Sequence, residues 1–363
     1  MFPIILGIAI LYWLRSLVFY WGARRAANPA RARGYQPRIS VVVAARNEEM
    51  NIGRCLQSLV AQEYPAERME IIVMNDGSED GTEEIISTFV TENPIVKYYQ
   101  VQKENSHLRG KTSAVAQGFD KATGEIFVTT DADCAVPREW LREIASYFEP
   151  GTGLVAGFTV QEGTTIFSAI QSLDWVYLMT LGSAGVGLSK PLGCIGNNLA
   201  LRREAYESVG GYRGIPFSVT EDLALLQAVC GTGKWGYKYP LNKNMFVTSV
   251  PCQDTRTLWA QKRRWAHGGK KLRLPGYLVL IVSLLMNIGI LSSIVTLQWQ
   301  TLAILWAVRW GADLMILMPT LKCFGMTGLL KYFFPYEVYA FLYEILLPFG
   351  LLKKEVAWKG RTF

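Results

Sequence analysis

The apolar residues of this chain are gathered at its two ends, and that distribution limits what it can fold into more than any other feature. Phe2 to Trp21 is almost uninterrupted, and as a helix it reaches roughly 30 Å, the thickness of a bilayer core. Tyr277 to Leu297 and Thr301 to Leu321 are two further runs of spanning length. Phe333 to Leu352 is a fourth, weakened by Pro335, Glu337, Glu344 and Pro348, and between Arg24 and Leu274 no stretch comes close. The pattern predicts a soluble-type domain held between membrane helices. Its parts are an anchor over 1–23, a central domain over 24–274, and a C-terminal region over 275–363 with two spans plus a third span or re-entrant segment.

The net charge of +7 would suit nucleic acid, but its placement points elsewhere. Arg24, Arg25, Arg31, Arg33 and Arg38 follow the first span, and Arg256, Lys262, Arg263, Arg264, Lys270, Lys271 and Arg273 precede the second. Basic residues flanking spans mark the cytoplasmic side and attract anionic headgroups. The central domain is therefore expected in the cytosol of an integral, multi-pass protein, with the bacterial inner membrane the expected setting. Its partner is the bilayer and not nucleic acid. With Arg15 inside it, a basic cluster after it and no basic n-region, the first segment reads as a retained anchor. If Phe333 to Leu352 crossed fully, Lys353, Lys354, Lys359 and Arg361 would fall outside, so a Pro-bounded re-entrant or interfacial segment is expected there. Cys55, Cys134, Cys194, Cys230, Cys252 and Cys323 form no CxxC pair and read as reduced packing residues.

Inside the central domain the periodicity alternates. Strands are predicted over Arg38–Ala45, Glu70–Asp76, Ile95–Val101 and Ile126–Asp131, and helices over Glu48–Ala61, Thr82–Val90 and Thr112–Ala122. Such alternation gives a mostly parallel, Rossmann-like α/β sheet covered on both faces, with ligands beyond the carboxyl ends of its strands. Arg46-Asn47-Glu48, Asn75-Asp76-Gly77-Ser78 and Asp131-Ala132-Asp133 all fall at such ends. Thr165 to Leu181, with the glycine-rich stretch after it, suits a helix lying at the membrane surface. Interfacial helices are thus expected over about 165–187 and 255–273.

The chemistry-bearing residues each carry two readings. Asp131 and Asp133 are either turn caps or carboxylates for a hard cation, Mg²⁺ or Mn²⁺, on a nucleotide diphosphate. Asp76 either caps the next helix or accepts from the imide N–H of uracil. Lys111, at a helix start, is unfavourable unless an anion shares the helix N-terminus, which points to phosphate. Thr220-Glu221-Asp222 is either an N-terminal cap or holds a general base for an acceptor hydroxyl. Gln261 and Trp265 are one helical turn apart with Arg264 adjacent, a group that stacks on a sugar and pairs with diphosphate; the rival is a plain basic interfacial helix, with Leu258, Trp259 and Trp265 toward the membrane.

Taken in order, Asp76, Asp131-Ala132-Asp133, Glu221-Asp222 and Gln261-Lys-Arg-Arg264-Trp265 resemble the D, DxD, (E/T)D, QxxRW series of membrane-bound family-two glycosyltransferases with the GT-A fold. The resemblance covers roughly residues 38 to 270, and Gly196-Asn-Asn198 matches that family's acceptor-side segment. The single anchor, the few later spans and the terminal Trp358-Lys-Gly-Arg361 look like the branch that glycosylates ceramides, hopanoids and carotenoids. The resemblance implies a metal-dependent, inverting hexosyl transfer from a UDP-sugar to a membrane lipid. Ala44, Arg46, Glu48 and Asp76 would hold the uridine; Lys111, Asp131 and Ala132 would contact the nucleotide; Asp133, with Asp131, would bind the metal. Asp222 would be the base with Glu221 beside it, and Gln261, Arg264 and Trp265 would close over the donor. The sugar and the oligomeric state are left open.

The rivals are a processive polysaccharide synthase, for which the spans look too few, and a polyprenyl-phosphate sugar transferase, which generally lacks QxxRW. A membrane scaffold with a degenerate nucleotide site is the non-enzyme reading. No GxGxxG follows the first strand. Arg309 and Asp313, one turn apart mid-span, either meet a lipid headgroup or acceptor or form an internal ion pair. His107 and His267 read as surface residues.

Overall fold

The structure is a computed structural model that describes residues 2–32, 34–103, 107–163, 165–269, 274–352, 357–358 and 361–362. Arg33, Lys270, Lys271, Arg273, Lys353, Lys354 and Lys359, several of which entered the charge argument, lie outside the described residues. In chain order the elements are α1 (Phe2–Ala26), β1 (Ile39–Ala45), α2 (Ile52–Val60), β2 (Met69–Asn75), α3 (Thr82–Glu92), β3 (Val96–Gln100), α4 (Gly110–Lys121) and β4 (Ile126–Asp131). Then come β5 (Cys134–Ala135), α5 (Trp140–Ser146), β6 (Thr152–Ala156), β7 (Thr159–Gln161), α6 (Ile166–Gly187), β8 (Leu199–Arg202) and α7 (Arg203–Glu207). The last are α8 (Glu221–Gly231), β9 (Gly236–Lys238), β10 (Val247–Ser249), α9 (Thr255–Gly269), α10 (Leu274–Val295), α11 (Trp299–Cys323) and α12 (Phe333–Gly350). They divide into a sheet unit, Ala27–Val160 with Gly193–Val250 and Ala357–Phe363, and a helical unit, Met1–Ala26 with Gln161–Leu192 and Pro251–Val356.

The sheet unit is built on seven strands in the order β3-β2-β1-β4-β8-β6-β9. β1 pairs in parallel with β2 and β4, and β2 with β3, while β8 runs antiparallel to β4 and β6. β1 and β2 are buried almost throughout, as continuous β-branched runs require when helices cover both faces. Val41, Val43, Ile71, Val73 and Val128 pack on one side with Leu56 and Leu59 of α2, Ile86 of α3 and Trp140 of α5. α4 lies so close to the sheet that a Cβ on Gly118 would stand 2.4 Å from Cγ1 of Val42; only glycine fits that approach. A small second sheet orders β5, β10 and β7. All six cysteines are free.

In the helical unit, three helices among the described residues are long and apolar enough to cross a membrane: Pro3–Ala26, Leu274–Val295 and Trp299–Cys323. α6 occupies the segment expected as a helix over about 165–187; Gln171 through Val176 are buried without a break and it packs against α1, α11 and α12. The glycines after Leu181 explain the closeness of one neighbour. A Cβ on Gly187 would fall 1.9 Å from the carbonyl oxygen of Gly22 in α1, so the two backbones meet where neither carries a side chain. Phe333 to Leu352 is largely a continuous helix, α12, with Pro348 inside its last turn.

The mid-span charges form an internal network. Arg309 Nε donates to Glu337 Oε2 at 2.8 Å and its Nη1 to Asn287 Oδ1 at 2.6 Å, with Glu344 Oε2 at 3.4 Å. Asp313 accepts from Tyr12 at 2.9 Å and from Tyr177 at 3.0 Å, with Arg15 at 3.8 Å. The Arg309–Asp313 pair itself is a loose 3.8 Å. Of the two readings of these charges, the internal one is what the side chains make. The acids that weakened α12 as an apolar segment are the partners of Arg309.

Candidate functional site

The parallel ladder aligns three polar clusters. Ala44 of β1 lies in register between Met74 of β2 and Asp131 of β4, and Ala45 opposite Asn75. The chain that leaves each strand here carries Arg46, Asp76 and Ala132-Asp133. Arg46 Nη1 donates to the carbonyls of Asp76 at 2.6 Å and Gly77 at 3.2 Å, tying the first two clusters together. Asn47 is forced to φ +51. Its backbone N–H donates to Ser78 Oγ at 3.1 Å and its Oδ1 accepts from Glu79 N at 2.9 Å; such strain persists where surrounding bonds impose it. Glu48 donates its N–H to Thr82 Oγ1 at 2.8 Å. This turn replaces the start of the expected helix, so α2 begins only at Ile52. Asp76 is buried, at 7% exposure.

Lys111 is the hub. Its Nζ is 2.5 Å from Asp131 Oδ1 and 3.3 Å from Glu221 Oε1. Burial works against the ammonium, but Asp131 and then Glu221 outweigh it and hold the lysine charged well above its ordinary range. Two carboxylates of the chain therefore stand at this helix start beside Lys111. Glu221 and Asp222 open α8, yet the N-cap residue Thr220 makes no side-chain capping bond. Asp222 instead accepts from Gly196 N at 2.8 Å through Oδ2 and from Leu223 N at 2.7 Å through Oδ1. Gly196 thus orients the carboxylate. Asn198 plays a different part from the acceptor contact expected of it. It is buried, its Oδ1 accepts from Trp140 Nε1 at 3.0 Å, and its Nδ2 donates to the carbonyls of Phe158 at 2.9 Å and Met245 at 2.8 Å. Its amide is used up inside the fold.

Asp133 is the carboxyl most in want of a cation. Burial first, then Asp131 and Glu48, push it up to about 6, and its nearest donors are Cys134 Sγ and Ser249 Oγ, both at 3.3 Å. Among the described residues no group of three His, Cys, Asp or Glu side chains closes a metal cage. Two hard carboxylates without a cage fit an ion that keeps water and phosphate oxygens, as Mg²⁺ and Mn²⁺ do.

Gln261, Arg264 and Trp265 lie on α9 in the helical unit. Leu258, Lys262 and Gly268 are its buried residues, and Trp265 packs on Trp175 of α6 with ring centroids 5.4 Å apart. The buried Lys262 departs from the plain basic helix, which would turn its charges outward. Its partner, Asp174, escaped the sequence reading, although a single acid in the apolar Ile166–Gly187 segment was a usable signal. His107 is exposed with Nε2 3.0 Å from the carbonyl of Ile215, and His267 is half-buried.

Comparison with known proteins identifies the family and the fold. The glycosyl transferase family 2 profile matches residues 40–210, and that of glycosyl transferase family group 2 matches residues 126–348, more than half of the chain. A β-monoglucosyldiacylglycerol synthase of Synechocystis is 29% identical over 241 residues, 64% of this chain and 48% of its own length. A poly-β-1,6-N-acetyl-D-glucosamine synthase of Staphylococcus epidermidis is 24% identical, covering 82% of this chain and 71% of its own. The chain spans about half the length of the first curated relatives it matches. The mannosyltransferase PcManGT of Pyrobaculum calidifontis, solved with GDP-Man and Mn²⁺, shares the fold over 97% of both chains, with a TM-score of 0.63 at 20% identity. The chain belongs to the family-two glycosyltransferases, with the GT-A fold.

Proposed function

We propose that this glycosyltransferase moves a hexose from a UDP-sugar to a hydroxyl of a membrane lipid, with inversion, at the cytosolic face of the bilayer. The observation that carries the proposal is the bridge from Asp131 through Lys111 to Glu221. It ties the carboxylates suited to a metal diphosphate to the helix start that presents Asp222. On this reading 24–274 is the catalytic domain, between an anchor at 1–23 and the spans of 275–363. Support for a lipid acceptor comes from the three spanning-length helices and the diacylglycerol-glucosylating relatives.

Ala44, Arg46, Glu48 and Asp76 hold the uridine, with Asp76 accepting from the uracil imide. Lys111 contacts the diphosphate, and Asp131 and Asp133 hold a divalent cation. That cation supplies Lewis-acid neutralisation of the leaving diphosphate. Each oxygen of Asp222 accepts one backbone N–H, which fixes the orientation of the carboxylate that acts as base. A single base opposite the leaving group is what a one-step inverting displacement needs. Gln261, Arg264 and Trp265 act on the donor and its leaving diphosphate, and Gly196 holds Asp222 for the acceptor.

The second reading, a polymer-forming synthase, is favoured by the longer match to the poly-N-acetylglucosamine synthases. Titration of UDP with and without Mn²⁺ tests the donor assignment. Metal-dependent binding that is lost in Asp133→Ala is expected; unchanged binding and transfer in that variant would remove the metal from the proposal.

A further inference from the structure

α9 carries one residue that the QxxRW spacing leaves unspecified and the fold does not. Lys262 is 1% exposed, and its Nζ pairs with Asp174 Oδ2 of α6, itself buried. The same ammonium stands 4.5 Å over the Trp265 ring and 5.4 Å over that of Tyr343 in α12. One cation thus touches α6, α12 and the aromatic residue of the QxxRW group. The clamp continues along α9. Trp259 meets Tyr343 edge-on at 6.4 Å, and Arg263 Nε donates to the carbonyl of Gly350 at 3.1 Å. A Cβ on Gly350 would stand 2.9 Å from the Trp259 ring, so the helices meet there without slack.

A buried ion pair is a poor way to gain stability, because desolvation consumes most of the attraction and apolar residues of like volume do as well or better. What it supplies, and methionine or leucine would not, is direction. A salt bridge to Asp174 of α6 and the face of the Tyr343 ring on α12, both outside α9, leave α9 one rotation about its own axis. That rotation also sets Gln261 Oε1, which is buried without a hydrogen-bond partner.

We infer that Lys262 and Asp174 are positioning residues for the transfer step, locking the rotation of α9 that orients Gln261, Arg264 and Trp265. The inference rests on the reading of those three residues as part of the transfer machinery. It places a determinant of turnover in α6, outside every motif of the sequence.

The test uses the full chain in lipid nanodiscs and compares the parent with Lys262→Met, Asp174→Leu, the double variant Lys262→Met/Asp174→Leu, and Trp265→Ala. Melting temperature, UDP affinity, and kcat and KM for the donor are read for each. Each single variant strands a buried charge and is expected to melt earlier. The charge-free double variant is expected to melt at or above the parent temperature and to bind UDP with unchanged affinity. Its kcat is expected to fall about tenfold or more at little-changed KM, since misplacement on the ångström scale is that costly. Parent-like kcat in a stable double variant would make the pair a plain structural bond and overturn the inference. Trp265→Ala separates the two levels: if it turns over normally, the underlying reading of α9 fails; if it loses activity while the double variant does not, only the positioning role fails. Should the double variant not fold, Lys262→Gln/Asp174→Asn takes its place under the same criteria.

Discussion

The two units each gather charges into a cluster, and the clusters follow opposite plans. In the sheet unit Lys111 meets Asp131 and Glu221 at the carboxyl edge of the strands, and Asp131 keeps 35% of its side chain exposed. In the helical unit Arg309 meets Glu337 with 1% and 0% exposed, and Tyr12, Arg15, Tyr177, Asn287 and Glu344 close the remaining sides of its network with Asp313. The first cluster keeps a carboxylate oxygen of Asp131 open, as the proposed cation and diphosphate require. The second makes its hydrogen bonds among its own side chains and joins α1, α6, α10, α11 and α12. Buried charge alone does not mark a reactive site; what separates the two is whether a ligand can still reach it.

That difference is open to attack by mutation. Asp222→Asn should cost about 10²- to 10⁴-fold in transfer, the range for a general base, while UDP binding holds; a loss under tenfold would remove the base from the sheet-edge site. Arg309→Met should act on stability, because the fully buried Glu337 loses its cation. About 3–5 kcal/mol is expected for breaking such a network, read as a lower unfolding midpoint in detergent. Lys111→Met should do the converse and weaken donor binding with the fold retained. If Arg309→Met is as stable as the parent, the fastener reading of the helical cluster is wrong.

Two smaller effects sharpen the picture within the sheet unit. Asn198→Ala strands Trp140 Nε1 and two carbonyls, and about 1–3 kcal/mol of stability should go with them; loss of acceptor affinity without destabilisation would return Asn198 to the site. Glu70 is an internal contrast to the reactive carboxylates. Burial alone would raise it, but hydrogen bonds from Lys97, then Ser40 and Thr123, bring it down to about 2. A depressed carboxylate stabilises the fold above its unfolded value of 4.5, and that contribution fades as pH falls from there toward about 2. Glu70→Gln should therefore lower stability at neutral pH by about 1–2 kcal/mol, discounted for the half-exposed Lys97, and by progressively less below pH 4.5.

The four parallel strands β1 to β4 were legible in the sequence because strands buried on both faces are short β-branched runs. Ile126–Asp131 was placed to the residue and β1 and β2 to within one, whereas β6, β8 and β9 of the same sheet were not foreseen. The strand-end clusters were legible for the same reason, since period and fold class together place strand ends. The helical unit was less so. Asp174 and Lys262 lie 88 residues apart, and Arg309 finds Glu337 on another helix in preference to Asp313 on its own. Pairings of that kind depend on which helices become neighbours, and hydropathy carries no record of it. The helix expected over about 165–187 is found as Ile166–Gly187, but the approach of Gly187 to Gly22 of α1 had no signal in hydropathy. Asn198 sat in a family segment, but only the partners of its amide reveal a buried strut.

The central claim is lipid-directed sugar transfer, and one measurement meets it directly. The purified full-length protein is incubated with Mn²⁺, labelled UDP-hexoses and total membrane lipid, and the organic phase is analysed. A single labelled glycolipid of inverted anomeric configuration, absent with Asp222→Asn, is the expected result. Label recovered only in a water-insoluble polymer, or in no product while UDP still binds, would contradict it.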